Sequence, residues 1–444
     1  MKRSISAAMF AGAVLMAAPF VAQAQSANDD ARPISLRDAI GEAQRNAPGV
    51  VSANGLERNA AAAYRSARGA YLPTLNLTAG SARTQGVQFF QGQLVPLTGN
   101  PWNYNNGVTA NLQLFDGNQR WSELQRVRAT QHVADVSTTQ AKFDAELQVK
   151  QQYYAALAAR ESEAAAKAQL EQAEQQLRAS SARVNAGVAT KSDSLRSAIQ
   201  VGNAQLAVLT SQNDLRVANA ALTRVIGSNT TVTAMPGDTV DVSTTMPSEV
   251  ELEKLIADGP AVMLAEANLS AAQASKRSQR AAYLPTLTMS YQYSFTQSSK
   301  KFASSEIWLF SGGNPNRQNL NFNFSYQIFN GFAREAAAVG LDVTMRNAEA
   351  QLRDARLGGR ATLTTLLRAI QNAQARVTVQ LAAIAAAEED LRVQTQRYNL
   401  GASTLLDLLT SQTQLNQARQ SLIQARFDGR VARAQLASLI GRQL

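Results

Sequence analysis

One stretch of this chain is written twice. Ala70-Tyr71-Leu72-Pro73-Thr74-Leu75 recurs unchanged as Ala282-Tyr283-Leu284-Pro285-Thr286-Leu287, 212 residues later. Leu114-Phe115-Asp116-Gly117 returns as Ile328-Phe329-Asn330-Gly331, at an offset of 214. Arg183-Val184-Asn185-Ala186-Gly187 returns as Arg397-Tyr398-Asn399-Leu400-Gly401, and Val225-Ile226-Gly227 as Leu439-Ile440-Gly441, again at 214. Four landmarks in one order at one spacing mark an internal duplication. The fold must therefore be built from two copies of one unit. The expected division is a first structural repeat over 25–227, a linker over 228–247 and a second repeat over 248–444. The linker assignment rests on its Ser, Thr and Pro content.

Ahead of the repeats lies a segment with the marks of a signal peptide, residues 1–24. Lys2 and Arg3 form a basic start, and Ala7 to Val21 is apolar but too short for a comfortable membrane span. Ala22-Gln23-Ala24 then supplies a small-x-small cleavage site. Pro19 and the short run argue against an uncleaved anchor. The mature chain is expected to start at Gln25 and to work outside the cytoplasm.

Several function classes fall away on composition. No stretch after residue 24 holds ~18 consecutive apolar residues, which excludes a polytopic helical membrane protein. There is no Cys, so there are no disulfides, thiolates, Cys-ligated metals or lipid-acceptor Cys. The single His, His132, has no companion for a metal site or a catalytic triad. No Walker A or GxGxxG pattern is present. Neither an enzyme nor a resident cofactor or metal is expected. The formal charge of +10 falls to +8 without Lys2 and Arg3. So modest a charge suits a soluble surface better than a nucleic-acid footprint.

Each repeat has the same internal order. An Ala-rich helical stretch (35–68; 249–280) is broken by the AYLPTL element, because Pro cannot continue a helix. A strand, a polar loop and a second strand follow, giving hairpins over about 71–115 and 283–330. Leu287, Met289, Tyr291, Tyr293 and Phe295 alternate with Thr288, Ser290, Gln292 and Ser294. Leu320 to Ile328 and Val108 to Leu114 alternate likewise, and the strand after Pro73 more weakly. Runs of about ten residues match a tilted transmembrane strand. Eighteen of the 27 aromatics fall in 71–115 and 283–332. Such crowding suits the lipid face and girdles of a membrane barrel more than a soluble sandwich. Trp102 and Trp308 are expected in the two hairpin loops, at the outer interface.

The helical parts are long. Asn118 to Ala186 holds neither Pro nor Gly across 69 residues. At 1.5 Å rise this run could reach about 100 Å. The returning helices carry heptads: Leu408, Leu415, Leu422 and Leu436, with Ala418, Ala425, Ala432 and Leu439 between them. In the first repeat Val201, Val208, Leu215 and Leu222 play the same part. This is a coiled-coil seam with small residues, which lets helices approach closely.

Two repeats supply four strands. Single-chain bacterial barrels start at about eight, and an open sheet edge cannot sit in lipid. The wall must be completed by other chains, with the long helices continuing it as a tube.

The leader, the duplication, the paired hairpins, the AYLPTL elements and the "RVNAG" and "RYNLG…DLL" turns resemble TolC-type outer-membrane efflux and secretion proteins, over essentially the whole mature chain. The resemblance implies an α+β membrane protein of the cell outer membrane of a Gram-negative bacterium, extending into the periplasm. It implies a homotrimer forming a twelve-stranded barrel, four strands per chain, continued by a helical coiled-coil periplasmic barrel. The implied function is the channel-tunnel of a tripartite efflux pump or a type I secretion system. That is a passive duct opened at its periplasmic tip and driven by an inner-membrane transporter through a periplasmic adaptor. Its partners are then the adaptor, the transporter, its sibling chains and outer-membrane lipid, with no nucleic acid. The alternatives are a non-conducting trimeric stalk or a periplasmic adaptor protein.

The Gly turns sit at the helix ends far from the strands. Gly187 and Gly401 suit the left-handed position past a helix C-terminus. Ser192, and either Ser403 or Thr404, can cap the helix that follows. By the resemblance, Val184, Ala186, Gly187 and Val188, with Tyr398, Leu400, Gly401 and Ala402, form the adaptor-docking tip. Asp407 stands where the family places an inward-facing tip carboxylate, and three copies would make an acidic ring. The residue one turn later is Thr410, not a second acid, and the residue two after the Gly is Ser403, not a base. A periplasmic gate built from Asp407, Thr410, Asp193, Tyr398 and Ser403 must therefore lock differently, with Lys191 or Arg196 as candidate cations.

Overall fold

The computed structural model describes residues 31–96, 102–236, 247–299 and 316–442. The leader, linker residues 237–246 and Trp308 lie outside them. The first repeat runs β1 (Arg32–Ile34), α1 (Leu36–Asn46), α2 (Pro48–Gly69), β2 (Thr74–Arg83), β3 (Val87–Phe90), β4 (Gln93–Pro96), β5 (Trp102–Phe115), α3 (Gln119–Asn185) and α4 (Lys191–Ile226). After β6 (Val232–Ala234) the second repeat runs α5 (Glu249–Ala257), α6 (Pro260–Ser278), a short 3-10 turn, β7 (Thr286–Ser299), β8 (Asn316–Ser325), α7 (Ala333–Asn399) and α8 (Leu405–Ile440).

The opening helical stretch of each repeat is two helices, not one. Pro48 and Pro260 break it, each at the first turn of the second helix, where a missing N–H costs nothing. The linker also contains order that its composition hid. Val232, Thr233 and Ala234 are buried and pair in parallel with Arg32–Ile34. Tyr153, fully buried on α3, locks the pair: its hydroxyl donates to the Ile34 carbonyl and accepts from Met235 N–H, both at 3.2 Å. Around it lies the main apolar cluster, with Val50, Val149, Leu222 and Ile226. A second core, on Leu252, Leu363, Ile370 and Leu436, holds α5 against α7 and α8.

α3 and α7 each have 67 residues and are unbroken, although α7 contains Gly340, Gly358 and Gly359. Tertiary packing overrides the propensity cost of these glycines. Gly359 has a packing reason as well, since a Cβ there would stand 2.8 Å from Ile256. α4 and α8 return antiparallel along them, and the heptad residues Leu408, Leu415, Leu422 and Leu436 are buried. Nearer the sheet the helices lie in the order α2–α3–α6–α7, and nearer the tip α4–α3–α8–α7. Among the described residues no helix is long and apolar enough to cross a membrane.

Four strands form one antiparallel sheet in the order β2–β5–β7–β8, so the two repeats meet where β5 pairs with β7. The register sorts side chains by chemistry. One face carries the rows Leu75–Ala110–Tyr291–Leu320 and Leu112–Met289–Phe322. The other carries Thr74–Asn111–Ser290–Asn321 and Asn76–Thr109–Gln292–Asn319. The sheet is thus apolar on one side and polar on the other, as the period of two requires.

Four details differ from the sequence reading. Trp102 begins β5 and is not in a loop. The polar loop contains the β3–β4 hairpin, turned by Gln91 and Gly92, both at positive φ. A bulge at Leu114 shifts the register so that Phe115 pairs with Leu287. β8 stops at Ser325, so Tyr326 and Ile328 lie beyond the strand.

Candidate functional site

Two places stand out: the helix turns at one end of the molecule and the open sheet at the other.

At the first turn, α3 ends at Asn185 with Ala186 as its C-cap and Gly187 takes φ +73°, while its counterpart Gly401 takes φ +76°. Gly187 N–H bonds the Val184 carbonyl and Val188 N–H the Arg183 carbonyl; Gly401 and Ala402 repeat the pattern on Tyr398 and Arg397. This exit satisfies the last helical carbonyls and points the chain back. The helices that follow open on paired capping boxes, Thr190 with Asp193 and Thr404 with Asp407. Ser192 is inside α4's first turn, so the cap of that helix is Thr190. Of the pair left open in the second repeat, Thr404 is the cap.

Asp407 is exposed, and one of its carboxylate oxygens is held by its own turn. Its Oδ2 accepts from the Thr404 hydroxyl at 2.7 Å, the Thr404 N–H at 3.0 Å and the Ser403 hydroxyl at 3.1 Å. The hydrogen bonds from Thr404 hold its carboxyl below the usual carboxylate value, and Ser403 and the charge of Arg397 act in the same direction. The Ser403 hydroxyl, with one proton to give, also lies 3.0 Å from Gln394 Oε1 as an alternative acceptor. Thr410 donates to the Leu406 carbonyl of its own helix at 2.8 Å and is exposed. Asp193 is occupied by Thr190 at 2.8 Å.

Tyr398 is buried in a small apolar cluster with Leu405 and Leu408. Burial is the main cause that raises its phenol pKa. Its hydroxyl has no hydrogen-bond partner among the described residues. The cation that meets it is Arg183 of the other hairpin, rather than Lys191 or Arg196. Arg183 Nη1 donates to the Tyr398 carbonyl at 3.0 Å, and the guanidinium lies 4.6 Å from the ring centroid. No sequence motif announced this bond, because its ends are 215 residues apart. The two turns also differ inside. The counterparts of Tyr398, Leu405 and Leu408 are Val184, Lys191 and Ser194, and Ser194 meets Ser181 at 3.1 Å. Around the turns Val188 and Leu400 are 66% and 83% exposed, and Ala186, Gly187, Gly401 and Ala402 are exposed as well.

The sheet is joined to the long helices by a device that the duplication repeats. Gly117-Asn118 and Gly331-Phe332 both place two successive residues at positive φ, which turns the strand into the helix. Arg120 then stacks on Tyr71 at 5.0 Å and Arg334 on Tyr283 at 4.9 Å. Arg120 is paired with Asp116 at 2.7 Å. Where Asn330 replaces that acid, Arg334 donates instead to the carbonyls of Gln327 and Ile328, both at 3.1 Å. β2 and β8 are the sheet's two edges, and every residue in both is exposed.

His132 is exposed beside Trp121, Arg128 and Asp135, and the described residues contain no cluster of metal-ligating groups.

A sequence model of the outer membrane efflux protein family matches residues 39–228 and 252–442, once per repeat. The chain is 26% identical over 365 residues to Protein CyaE of Bordetella pertussis, covering 80% of this chain and 73% of that one. The fold matches CusC with a TM-score of 0.76 at 18% identity, over 92% of both chains. It matches the outer membrane protein VceC of Vibrio cholerae with a TM-score of 0.73 at 17% identity, over 92% of this chain and 96% of that one. With both repeats matched, the chain belongs to the outer membrane efflux protein family and is an outer-membrane channel protein, the α+β channel-tunnel its sheet and helices describe.

Proposed function

We propose that three copies of this chain close a twelve-stranded barrel continued by a helical tunnel, and that the assembly is a passive export duct. An inner-membrane transporter would drive it through a periplasmic adaptor, in a tripartite efflux pump or a type I secretion system. The observation that carries this reading is the sheet with two open edges. A strand edge in lipid leaves backbone N–H and C=O groups without partners, at several kcal/mol each. Since β2 and β8 are chemically unlike, a neighbour's β8 on this chain's β2 is a head-to-tail contact, which closes into a ring when the rotation allows.

The helical layer makes the same demand. α4 and α7 are its flanks near the tip. Leu195, Ile199, Leu206, Leu209 and Val217 lie at helical spacing along α4 and are 58–65% exposed. α7 exposes Val339, Val343, Leu357 and Val379. Apolar flanks of this extent call for a partner surface, and the sibling chain that closes the sheet would bring one.

In this reading the tip is the gate, with Asp193, Tyr398, Ser403, Asp407 and Thr410 at its constriction. Arg183 belongs with them as the tie between the two hairpins of one chain. Opening would splay those hairpins, a shift between two packings of the same coiled coils. Val184, Ala186, Gly187, Val188, Leu400, Gly401 and Ala402 would be the surface the adaptor grips.

Planar-bilayer recording on the detergent-purified complex, with its mass measured in parallel, tests the proposal. A conducting trimer is expected. A stable folded monomer, or a trimer that never conducts, would sink it, the second outcome favouring a stalk.

A further inference from the structure

We propose that a collar of arginines at the junction of helices and sheet, Arg65 and Arg68 on α2 with Arg277 and Arg280 on α6, binds the phosphate headgroups of anionic phospholipids in the periplasm-facing leaflet. The proposal rests on the reading of the sheet as a membrane wall.

The four cations are placed by the duplication. Arg65 and Arg277, and Arg68 and Arg280, are each 212 residues apart, the same offset as the AYLPTL elements they precede. Each repeat thus brings two arginines, three residues apart and so on one helical face, to the turn that enters the sheet. Arg277 lies six residues before Tyr283, about 9 Å along a helix. Arg280, three residues before Tyr283 and about 4.5 Å along the helix, lies within the depth of a headgroup layer, which adds about 5–8 Å on each side of the hydrocarbon core, and Arg277 stands one turn further out at its boundary.

Along their own elements they lack compensating charge, and on the neighbouring α3 Asp135 lines a cleft with Arg277 beside a further cation, Arg128. No acid occurs between Arg58 and Phe115, or between Ala267 and Ser305. Two neighbouring cations are spoken for: Arg120 by Asp116, and Lys276 by Asp342 at 2.6 Å. Among the described residues the side chains of Arg65, Arg68, Arg277 and Arg280 have no ion-pair or hydrogen-bond partner, and all four residues are exposed. Unpaired arginines in both copies of a repeat are an anion-binding surface in waiting.

The shape says which anion. Arg277 and Arg280 line a cleft of about 410 Å³ with Lys276, and Tyr283, Ala338 and Met345 contribute apolar atoms to the same lining. Guanidinium donors and apolar atoms in one cleft match a phosphate that continues into an acyl chain. An inorganic ion would leave the apolar lining unused. Trp121, 57% exposed at the start of α3, is the kind of residue that sits at headgroup level.

The test uses the full-length trimer in detergent and native mass spectrometry, with phosphatidylglycerol and phosphatidylcholine of matched chains as probes. The wild type is expected to retain phosphatidylglycerol in preference, and inorganic phosphate at the same concentration should not displace it. In the fourfold variant R65Q/R68Q/R277Q/R280Q retention should fall at least about fivefold. If that variant does not assemble, R65Q/R68Q and R277Q/R280Q carry the same test, each losing about half of the bound lipid. Equal retention of both lipids, unchanged retention in the variants, or displacement by inorganic phosphate overturns the collar. Conductance of the same samples keeps this apart from the channel reading: a conducting variant with undiminished lipid removes the collar and leaves the duct standing.

Discussion

Arg183 and Tyr398 tie the two helical hairpins together at their tips, through a 3.0 Å hydrogen bond to the Tyr398 carbonyl and a guanidinium 4.6 Å from its ring centroid. The contact uses the main chain and the ring face of Tyr398, and leaves its buried hydroxyl unpaired.

That geometry separates two variants. Arg183→Ala removes a charge-assisted hydrogen bond and a cation–π contact, together about 2 kcal/mol. The open fraction of single channels in planar bilayers should rise roughly tenfold or more. Tyr398→Phe keeps both contacts and should conduct like the wild type. A Tyr398→Phe channel that opens as readily as Arg183→Ala would show that the hydroxyl, not the ring and carbonyl, holds the tip.

Asp407 gives a pH prediction. Its carboxyl is held below its ordinary value of 3.8 by the Thr404 and Ser403 hydrogen bonds. A depressed folded-state pKa stabilises the tip above the unfolded value, and that contribution is lost as pH falls through the folded one. The protection of residues 401–410 against hydrogen exchange, taken relative to the intrinsic rate at each pH, should therefore hold from pH 7 to about 4 and fall only below that. In Asp407→Asn protection should be lower and show no step.

The same residue tests the gate. If Asp407 rings the constriction, Asp407→Ala should weaken block by polyvalent cations from the periplasmic side severalfold, since charge rings set cation affinity in pores. Unchanged block would place Asp407 off the pore, as a helix cap alone.

Arg120 and Arg334 do the same job with different partners. Arg334→Ala strips donors from the Gln327 and Ile328 carbonyls and should destabilise the assembly by about 2 kcal/mol. Arg120→Ala leaves the buried Asp116 carboxylate without its cation and should cost more. Thermal dissociation of the detergent-solubilised complex would rank the two, and the reverse order would contradict the bonding pattern.

A chain without cysteine allows a clean look at the sheet edges. Single cysteines placed along β2 and β8 and combined pairwise should cross-link between chains in one register, giving covalent dimers and trimers. No cross-link in any register would mean that the edges do not meet.

Much of this molecule could be read from the amino-acid order because its signals are local. Alternation in Leu287 to Phe295 fixes a strand with two unlike faces, and 69 residues without Pro or Gly permit a helix of about 100 Å. Leu408, Leu415, Leu422 and Leu436 mark a seam, and Gly187 and Gly401 a left-handed turn. Repetition made each of these legible twice. Tertiary structure decided what depends on partners far apart in sequence. Val232 to Ala234 resemble a linker until Arg32 to Ile34 and Tyr153 bury them. The bulge at Leu114 exists only in the register with β7. Thr190 and not Ser192 caps α4, since the choice turns on backbone angles and not on residue type. Arg183 finds Tyr398 because two hairpins from different repeats lie side by side. Local periodicity sets the elements; which of them touch is a matter of packing, and packing joins residues that the sequence keeps 215 positions apart.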